Sequence, residues 1–243
     1  MKVFLSLVAL LAAGLAPARP LAQSAAAARP AAPQTQTRGG VTIEELIARL
    51  GDENQEVAGG ALGALVERGD EAVPHLERLL KSEQSAGVLL RAAVALGEIR
   101  PEHALVVATL VRVAKGRGLF DSEETLMARR TAGMFLSHTP AGIRELPVLL
   151  KDDDVFVRRS AAFALDDPTE VIDGLSPAQL EAIGDVLPAL VSALDDKDEV
   201  VRGMSCEVLG QIVRSRTEPL SSKAEKLLKE KGKSRGDCLC ECE

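Results

Sequence analysis

The residue types best suited to chemistry lie at the very end of the chain, in the stretch GDCLCECE. Cys238, Cys240 and Cys242 alternate with other residues, and three thiolates at this spacing could chelate a soft metal ion such as copper(I) or zinc. The spacing differs from a zinc CxxC pair, and no second cluster supplies a fourth ligand. In an oxidising compartment, disulfides within or between chains are favoured over a metal. Both hypotheses stay open.

Acidic residues cluster at 152–154 and at 195–199 and suggest a second kind of ligand set. Their spacing does not match that of a calcium-binding loop. Both clusters precede helical patterns, where a carboxylate accepts hydrogen bonds from unpaired backbone N–H groups and is favoured by the helix dipole. We therefore interpret the acidic residues as helix caps.

Catalytic motifs are missing from the sequence. The histidines His75, His103 and His138 show no HExxH or related spacing, and no GxSxG, phosphate loop or dinucleotide fingerprint occurs. The fourth cysteine, Cys206, follows a small residue of a helical pattern and is predicted to be a buried apolar side chain. No catalytic residue is predicted, the chain is not expected to be an enzyme, and no cofactor is expected apart from the possible metal of the cysteine tail.

A repeated spacing indicates the elements that position these residues. A capping residue is followed by an apolar residue at +3, Ala or Ser at +7 and Leu at +11, and this pattern occurs five times. Steps of four place the last three residues on one face of a helix, and the leading residue can accept a hydrogen bond from the first turn. The leading residues are Asn54, Ser85, Thr125, Asp154 and Asp198.

Another helical segment precedes each capped helix, often with a proline that we place in its first turn, as in VLPALVSAL. One such pair cannot bury its apolar face alone, so the pairs are predicted to stack into a solenoid. With no Trp, no Tyr and five Phe, the core must be built from small aliphatic side chains, which favours closely packed helices. We predict an all-α solenoid of about five helical hairpins, closed by a capping helix within the basic stretch 214–235.

Residues 146–167, LPVLLKDDDVFVRRSAAFALDD, and residues 187–212, LPALVSALDDKDEVVRGMSCEVLGQI, resemble HEAT-type repeats. The resemblance covers roughly residues 41–214 and is strongest in the fourth and fifth units. It implies a non-enzymatic scaffold that binds proteins. Some bilin lyases are also built from HEAT-like repeats, although no residue here identifies a pigment site.

The same resemblance implies a polar ladder, stacked along the solenoid, between turn aspartates and arginines at the starts of the second helices. Its members would be Asp154 with Arg158 and Asp198 with Arg202, joined in part by Arg129. Ala58 and Leu89 occupy the arginine position in the first two units, so the ladder is expected only in the C-terminal part.

Two features are candidates for contact with a protein partner. Arg130 and Arg159 occupy equivalent +5 positions and are expected to face solvent, where they could contact an acidic partner. Leu119 and Phe120 lie in an insertion at 115–124, and insertions in repeat proteins often serve binding. The apolar residues on the side opposite the core, Met127 and Phe156 among them, are interpreted as packed between neighbours, with an exposed peptide-binding groove as the alternative.

The ends of the chain complete the domain plan. Residues 1–22, with Lys2 and a short apolar run, are predicted to be a signal peptide, since the run is too short to span a bilayer. Residues 23–40 are predicted to be a disordered Ala/Pro-rich linker, 41–231 the repeat domain and 232–243 a flexible cysteine-rich tail.

These features predict a secreted or periplasmic scaffold that binds a protein of unknown identity. The alternative is an envelope metal-binding or redox protein acting through its cysteine tail. The net charge of −7 and the lack of aromatic residues in the basic stretch disfavour nucleic acid as a partner. No membrane insertion is expected after cleavage, and the oligomeric state is not predicted.

Overall fold

The computed structural model describes residues 40–116, 123–166 and 172–232. The predicted signal peptide, the linker up to residue 39, the cysteine tail from residue 233 and the loop residues Leu119 and Phe120 lie outside these ranges. Within them the regular structure is helical, with no β-strand. The helices are α1 (Ile43–Arg49), α2 (Gln55–Arg68), α3 (Val73–Leu80), α4 (Ala86–Ile99), α5 (Ala104–Lys115), α6 (Glu123–Leu136), α7 (Pro140–Ile143), α8 (Leu146–Leu149), α9 (Val155–Ala164), α10 (Pro177–Ala193), α11 (Glu199–Arg214) and α12 (Leu220–Glu230).

The helices pack in two rows. Helices α2, α4, α6, α9 and α11 form one row in which each contacts the next, and α1, α3 and α5 followed by α7, α8, α10 and α12 form the other. Each of the five units is a hairpin with one helix, or the short pair α7 and α8, in each row. The predicted all-α solenoid of about five hairpins is confirmed. Among the described residues, no helix has the length and apolar character needed to cross a membrane.

The predicted caps begin four of the five second helices. Asn54, Ser85, Asp154 and Asp198 each accept a hydrogen bond from a backbone N–H of the following turn, at 2.9–3.3 Å. The prediction for Thr125 is wrong, because α6 begins at Glu123 and Thr125 is buried inside the helix. The repeated offsets determine which face of a helix is buried, but they do not determine the residue at which the helix begins.

The buried face follows the repeat spacing. The residues at +3, +7 and +11 are buried in every unit, with Val57 as the exception at 37 % exposed. In the part of the chain that the structure describes, α2 has a neighbour in its own row, α4, on one side only. Val57 therefore lacks the contact that buries its equivalents Val88, Ala128, Val157 and Val201.

Helix α10 corrects a second expectation. It begins at Pro177, after a capping box between Ser176 and Gln179, so Pro188 lies in the helix interior and not in a first turn. Because proline has no N–H, the carbonyl of Gly184 loses its usual donor four residues later. Lys223 of α12 replaces that donor, with its Nζ 2.7 Å from the Gly184 oxygen. The proline thereby creates an attachment point for the predicted capping helix, which is α12.

Candidate functional site

An apolar surface lies at the beginnings of α6 and α9. Met127 and Phe156 occupy equivalent positions of the repeat, near the starts of these helices, and are 50 % and 49 % exposed. Two helical turns further on, Met134 in α6 and Phe163 in α9 are half-buried. The interpretation of these side chains as packed between neighbours is therefore wrong for Met127 and Phe156, and it holds for Val94 of α4, which is buried.

Arginine side chains hold the aromatic rings of this surface. The Arg130 guanidinium of α6 lies 5.1 Å from the centroid of the Phe163 ring of α9, and those of Arg129 and Arg159 lie 5.9 Å from that of Phe156. Such cation–π contacts contribute about 0.5–1 kcal/mol at exposed sites. We call Met127, Arg130, Phe156, Arg159 and Phe163 the binding face.

The two helices that carry the binding face are in close contact. A Cβ atom at Gly133 of α6 would lie 2.9 Å from the backbone oxygen of Ser160 in α9, so a larger residue there would push the helices apart. The Ser160 hydroxyl donates a hydrogen bond to the Arg129 carbonyl at 3.2 Å. This close approach fixes the relative position of the apolar side chains on the two helices.

The two arginines expected to contact a partner have different surroundings. Arg130 is exposed, and its guanidinium is presented beside Phe163. Arg159 donates two hydrogen bonds to the Asp198 carboxylate of the next unit, from Nε at 3.0 Å and from Nη2 at 2.7 Å. The hydrogen bond from Arg159 lowers the pKa of Asp198 to about 2, so the pair is ionised at neutral pH. Arg130 is the better placed of the two for an external carboxylate.

The aspartates and arginines of the expected ladder lie close together, but with different partners. Arg129 donates to Asp154 of the following unit at 2.5 Å, and Arg158 makes two hydrogen bonds to Asp196 of the following unit at 2.8 and 3.1 Å. Arg202 donates to the Asp196 carbonyl at 2.8 Å. The ionic contacts therefore join successive units along the solenoid, as the resemblance implies, although Arg158 pairs with Asp196 and not with Asp154.

The carboxylates of this ladder are held in their ionised form. Burial opposes ionisation of Asp154 and Asp196, but the hydrogen bonds from Arg129 and Arg158, the hydrogen bonds from backbone N–H groups and the charges of the nearby guanidinium groups together outweigh it and lower the pKa of each carboxyl group. The Arg158 side chain is 6 % exposed and that of Asp196 is 12 % exposed. Neither charge can be removed alone without leaving the other poorly solvated.

Sequence reasoning missed the role of Asp196, although a signal for it was present. An aspartate stands two residues before the cap in three units, and its carboxylate accepts a hydrogen bond from the backbone N–H of the cap residue. These aspartates are Asp52, Asp152 and Asp196. An aspartate two residues before a cap residue is a sequence pattern that would have predicted this turn.

Sequence reasoning also missed Arg91, because it does not stand at the ladder position. Arg91 is nearly buried in α4 and donates to the Leu50 carbonyl at 2.8 Å and to Gln55 at 3.0 Å, both in the preceding unit. Arg112 of α5 likewise donates to the Leu80 carbonyl at 2.8 Å. In the N-terminal half, arginines therefore cap the C-terminal ends of first helices.

The histidines make contacts of a structural kind. The Nδ1 atom of His103 accepts a hydrogen bond from the Leu105 N–H at the start of α5, so its Nε2 carries the proton that is donated to Glu77 at 2.8 Å. The Nδ1 atom of His75 lies 3.1 Å from Oε1 of Glu44, and the Nδ1 atom of His138 lies 2.7 Å from the Met134 carbonyl oxygen, within hydrogen-bonding distance. Within the described ranges, no group of three or more His, Cys, Asp or Glu side chains is suited to a metal ion, and Cys206 is buried.

The fold and the repeated turn contacts define a helical-repeat protein, and comparison with known families makes the class more specific. Residues 43–116 match the family described as HEAT repeats, and residues 186–215 match the family described as HEAT repeat. The resemblance to HEAT repeats is therefore confirmed over these two segments. They include the first two units and the fifth, but not the fourth, where we had expected the match to be strong.

Three solved structures of designed armadillo repeat proteins are similar to the chain. One, in complex with the peptide (KR)4, is 20 % identical, with a TM-score of 0.41 over 81 % of this chain and 90 % of that one. Two others, one described as designed for modular peptide recognition, are 18 % identical, with TM-scores of 0.36 and 0.37 over 77 % of this chain and 99 % of each. No curated protein matches the sequence.

Proposed function

We propose that the protein is an exported, non-enzymatic scaffold that binds a protein partner through the binding face. A solenoid of helical repeats presents an extended surface of adjacent helices, and this architecture suggests an interaction scaffold. The observation that supports this choice of surface is the exposure of Met127 and Phe156 side by side on α6 and α9. Large apolar side chains exposed together often mark an interaction site.

The chemistry of the binding face favours a particular kind of partner segment. Met127 offers a flexible apolar contact, and Phe156 offers a ring whose orientation is held by two guanidinium groups. Arg130 can donate paired hydrogen bonds to a carboxylate. We therefore expect a peptide or an amphipathic helix that carries apolar anchors next to an acidic residue.

The first experiment compares capture of the partner by matched variants. The protein and its M127E/F156E variant would be used to isolate a partner from the compartment of export, and the affinity for the identified partner would then be measured directly. Loss of a central interface residue costs about 2 kcal/mol or more, so we expect the affinity to be weaker by ~30-fold or more. The control is Val148→Glu, which makes the same change at a residue of α8 that is 58 % exposed.

The outcomes are distinguishable. If the M127E/F156E variant binds the partner as tightly as the unchanged protein does, the binding face is not the site. If Val148→Glu alone weakens binding, the partner contacts the other row of helices. Circular dichroism of each variant checks that the solenoid is folded.

Export is tested separately by mass spectrometry of the protein recovered from its cellular compartments. We expect a mature chain that lacks residues 1–22 outside the cytoplasm. Recovery of the full-length chain from the cytoplasm alone would contradict export without affecting the proposed binding face.

A further inference from the structure

The N-terminal end of the solenoid carries an open groove between α1 and α2. The groove has a volume of about 460 Å³, and its apolar lining includes Val41, Leu46, Val57 and Ala64. We call this surface the N-terminal groove. At the opposite end of the described solenoid, α12 packs against α10 and α11. Within the residues that the structure describes, one end of the repeat stack is therefore covered by a terminal helix, whereas at the other end a face of α2 is open.

The open face of α2 is the face that other units use to contact a preceding unit. Val57 stands at the +3 position and is 37 % exposed, whereas its equivalents in the other four units are buried. Gly60, nearly one turn after Val57 in α2, is exposed, and a Cβ atom added there would meet no atom within 4 Å. The surface of α2 thus has the composition of a contact between repeats, and no residue from 40 onwards that the structure describes takes the place of the preceding unit.

The charges around the N-terminal groove are balanced. Its lining contains two acidic residues, Glu56 and Glu67, and two basic residues, Arg49 and Arg68, all of them exposed. The chain as a whole has a net charge of −7. Two identical acidic patches would repel each other, whereas a patch with equal numbers of acidic and basic residues can meet an identical patch without net repulsion.

We propose that two copies of the chain pair through their N-terminal grooves, with α2 packed against α2 about a twofold axis. In such a symmetric contact the same patch lies on both sides, so each acidic residue can approach a basic residue of the other copy. Val57 then becomes buried like its equivalents in the other units. The dimer continues the row of second helices from one copy into the next.

The size of the surface sets the expected strength of the dimer. At 1.5 Å per residue and a diameter near 10 Å, the seven residues of α1 and the fourteen of α2 present an end face of only about 300 Å². A standard interface buries about 800 Å² per partner. We therefore expect a reversible dimer that dissociates in the micromolar range and not an obligate one.

Sedimentation equilibrium of the mature chain tests the pairing. The samples would span micromolar concentrations and contain a reducing agent, so that disulfides between cysteine tails cannot link the chains. We expect a monomer–dimer equilibrium for the unchanged protein. Gly60→Arg places a long charged side chain in the groove, and we expect it to weaken the dimer at least tenfold.

Gly203→Arg is the matched control. Gly203 of α11 is also an exposed helical glycine with no atom within 4 Å of an added Cβ, but it lies far along the solenoid. Replacing glycine inside a helix favours the helical state, so neither variant should lose stability, and thermal unfolding verifies this. We expect Gly203→Arg to dimerise like the unchanged protein.

Two results would overturn the pairing. The first is a protein that stays monomeric over the whole concentration range, which would also be the outcome if residues 23–39 covered the groove within one molecule. The second is a Gly60→Arg variant that dimerises as well as Gly203→Arg does, which would place any dimer contact elsewhere. Both results are independent of the binding face on α6 and α9.

Discussion

Adjacent units are joined differently in the two halves of the solenoid. In the N-terminal half, Arg91 and Arg112 donate hydrogen bonds to backbone carbonyls at the ends of first helices in the preceding unit. In the C-terminal half, Arg158 and Arg159 pair with carboxylates in the turn of the following unit. The acceptors of Arg91 and Arg112 are neutral, whereas those of Arg158 and Arg159 are ionised, so the loss of an arginine from the first pair should depend less on acid than the loss of one from the second.

The ends of the solenoid differ as well. Lys223 and Lys231 attach α12 to the fifth unit, through the Gly184 carbonyl and through Asp195. At the N-terminal end, no described helix covers the N-terminal groove. Polar joints and a terminal helix therefore make the C-terminal half the more heavily cross-linked part of the described chain, and substitutions can test whether this has energetic consequences.

The largest effect is expected for Arg158→Ala. Removing this buried guanidinium leaves the Asp196 carboxylate poorly solvated without its partner, and such changes cost about 3–5 kcal/mol. The free energy of unfolding from urea titration measures the loss. Arg100→Ala removes the exposed pair with Asp70 and should cost less than about 1 kcal/mol. Equal losses for the two variants would contradict the assigned importance of the buried pair.

A smaller loss is expected for Arg91→Ala in the N-terminal half. The variant leaves the Leu50 carbonyl and Gln55 without their charged donor, and hydrogen bonds of this kind contribute about 1.5–3 kcal/mol. Neither acceptor titrates, so the loss measured by urea unfolding should be the same at neutral pH and at pH values below the pKa of the carboxyl groups. A loss that disappears in acid would remove the distinction between the two halves.

The attachment of α12 should contribute less again. Lys223→Met removes the donor to the Gly184 carbonyl and is expected to cost about 1 kcal/mol in unfolding experiments. Pro188→Ala restores the N–H that α10 lacks, so the Lys223→Met loss should shrink in that background. A loss that is unchanged by Pro188→Ala would show that Lys223 does not act by replacing the missing backbone donor.

A pH-dependent effect concerns the charge of Asp198. Its pKa in the folded protein is about 2, below the value of about 3.9 in an unfolded chain. Its ionised form therefore stabilises the fold fully above the unfolded value, and this contribution is lost as pH falls through 2. Asp198→Asn keeps a good helix cap and removes the charge. The difference in unfolding free energy between the two proteins should decrease from pH 5 toward pH 2, and a constant difference would contradict the role of the Arg159 pair.

Errors in the sequence-based prediction have a common physical origin. The pattern of apolar and small residues identified the second helices and their buried faces, because a helical period is visible in the sequence of each segment. It misplaced the start of α6 at Thr125 and placed Pro188 in a first turn, since the period gives the phase of a helix but not its ends. Helix α10 accommodates Pro188 only because Lys223, distant in sequence, supplies the missing hydrogen bond.

The candidate site was predictable in part. Arg130 and Arg159 were identified from their equivalent positions, and the structure places both beside the phenylalanine rings of α9. The sequence did not indicate that Asp198 accepts hydrogen bonds from Arg159, or that Met127 and Phe156 are exposed. Exposure depends on how far each neighbouring helix extends, and the repeat spacing carries no information about that.

By itself, the sequence determined the local features of this protein: the all-α class, the face that each second helix buries and the caps at Asn54, Ser85, Asp154 and Asp198. These depend on interactions between residues within one or two turns of each other. Only the tertiary structure decided which aspartate each arginine pairs with, which apolar residues face solvent and which end of the stack is open. Those outcomes depend on contacts between units, and the paired residues, such as Arg158 and Asp196, are 38 positions apart in the chain.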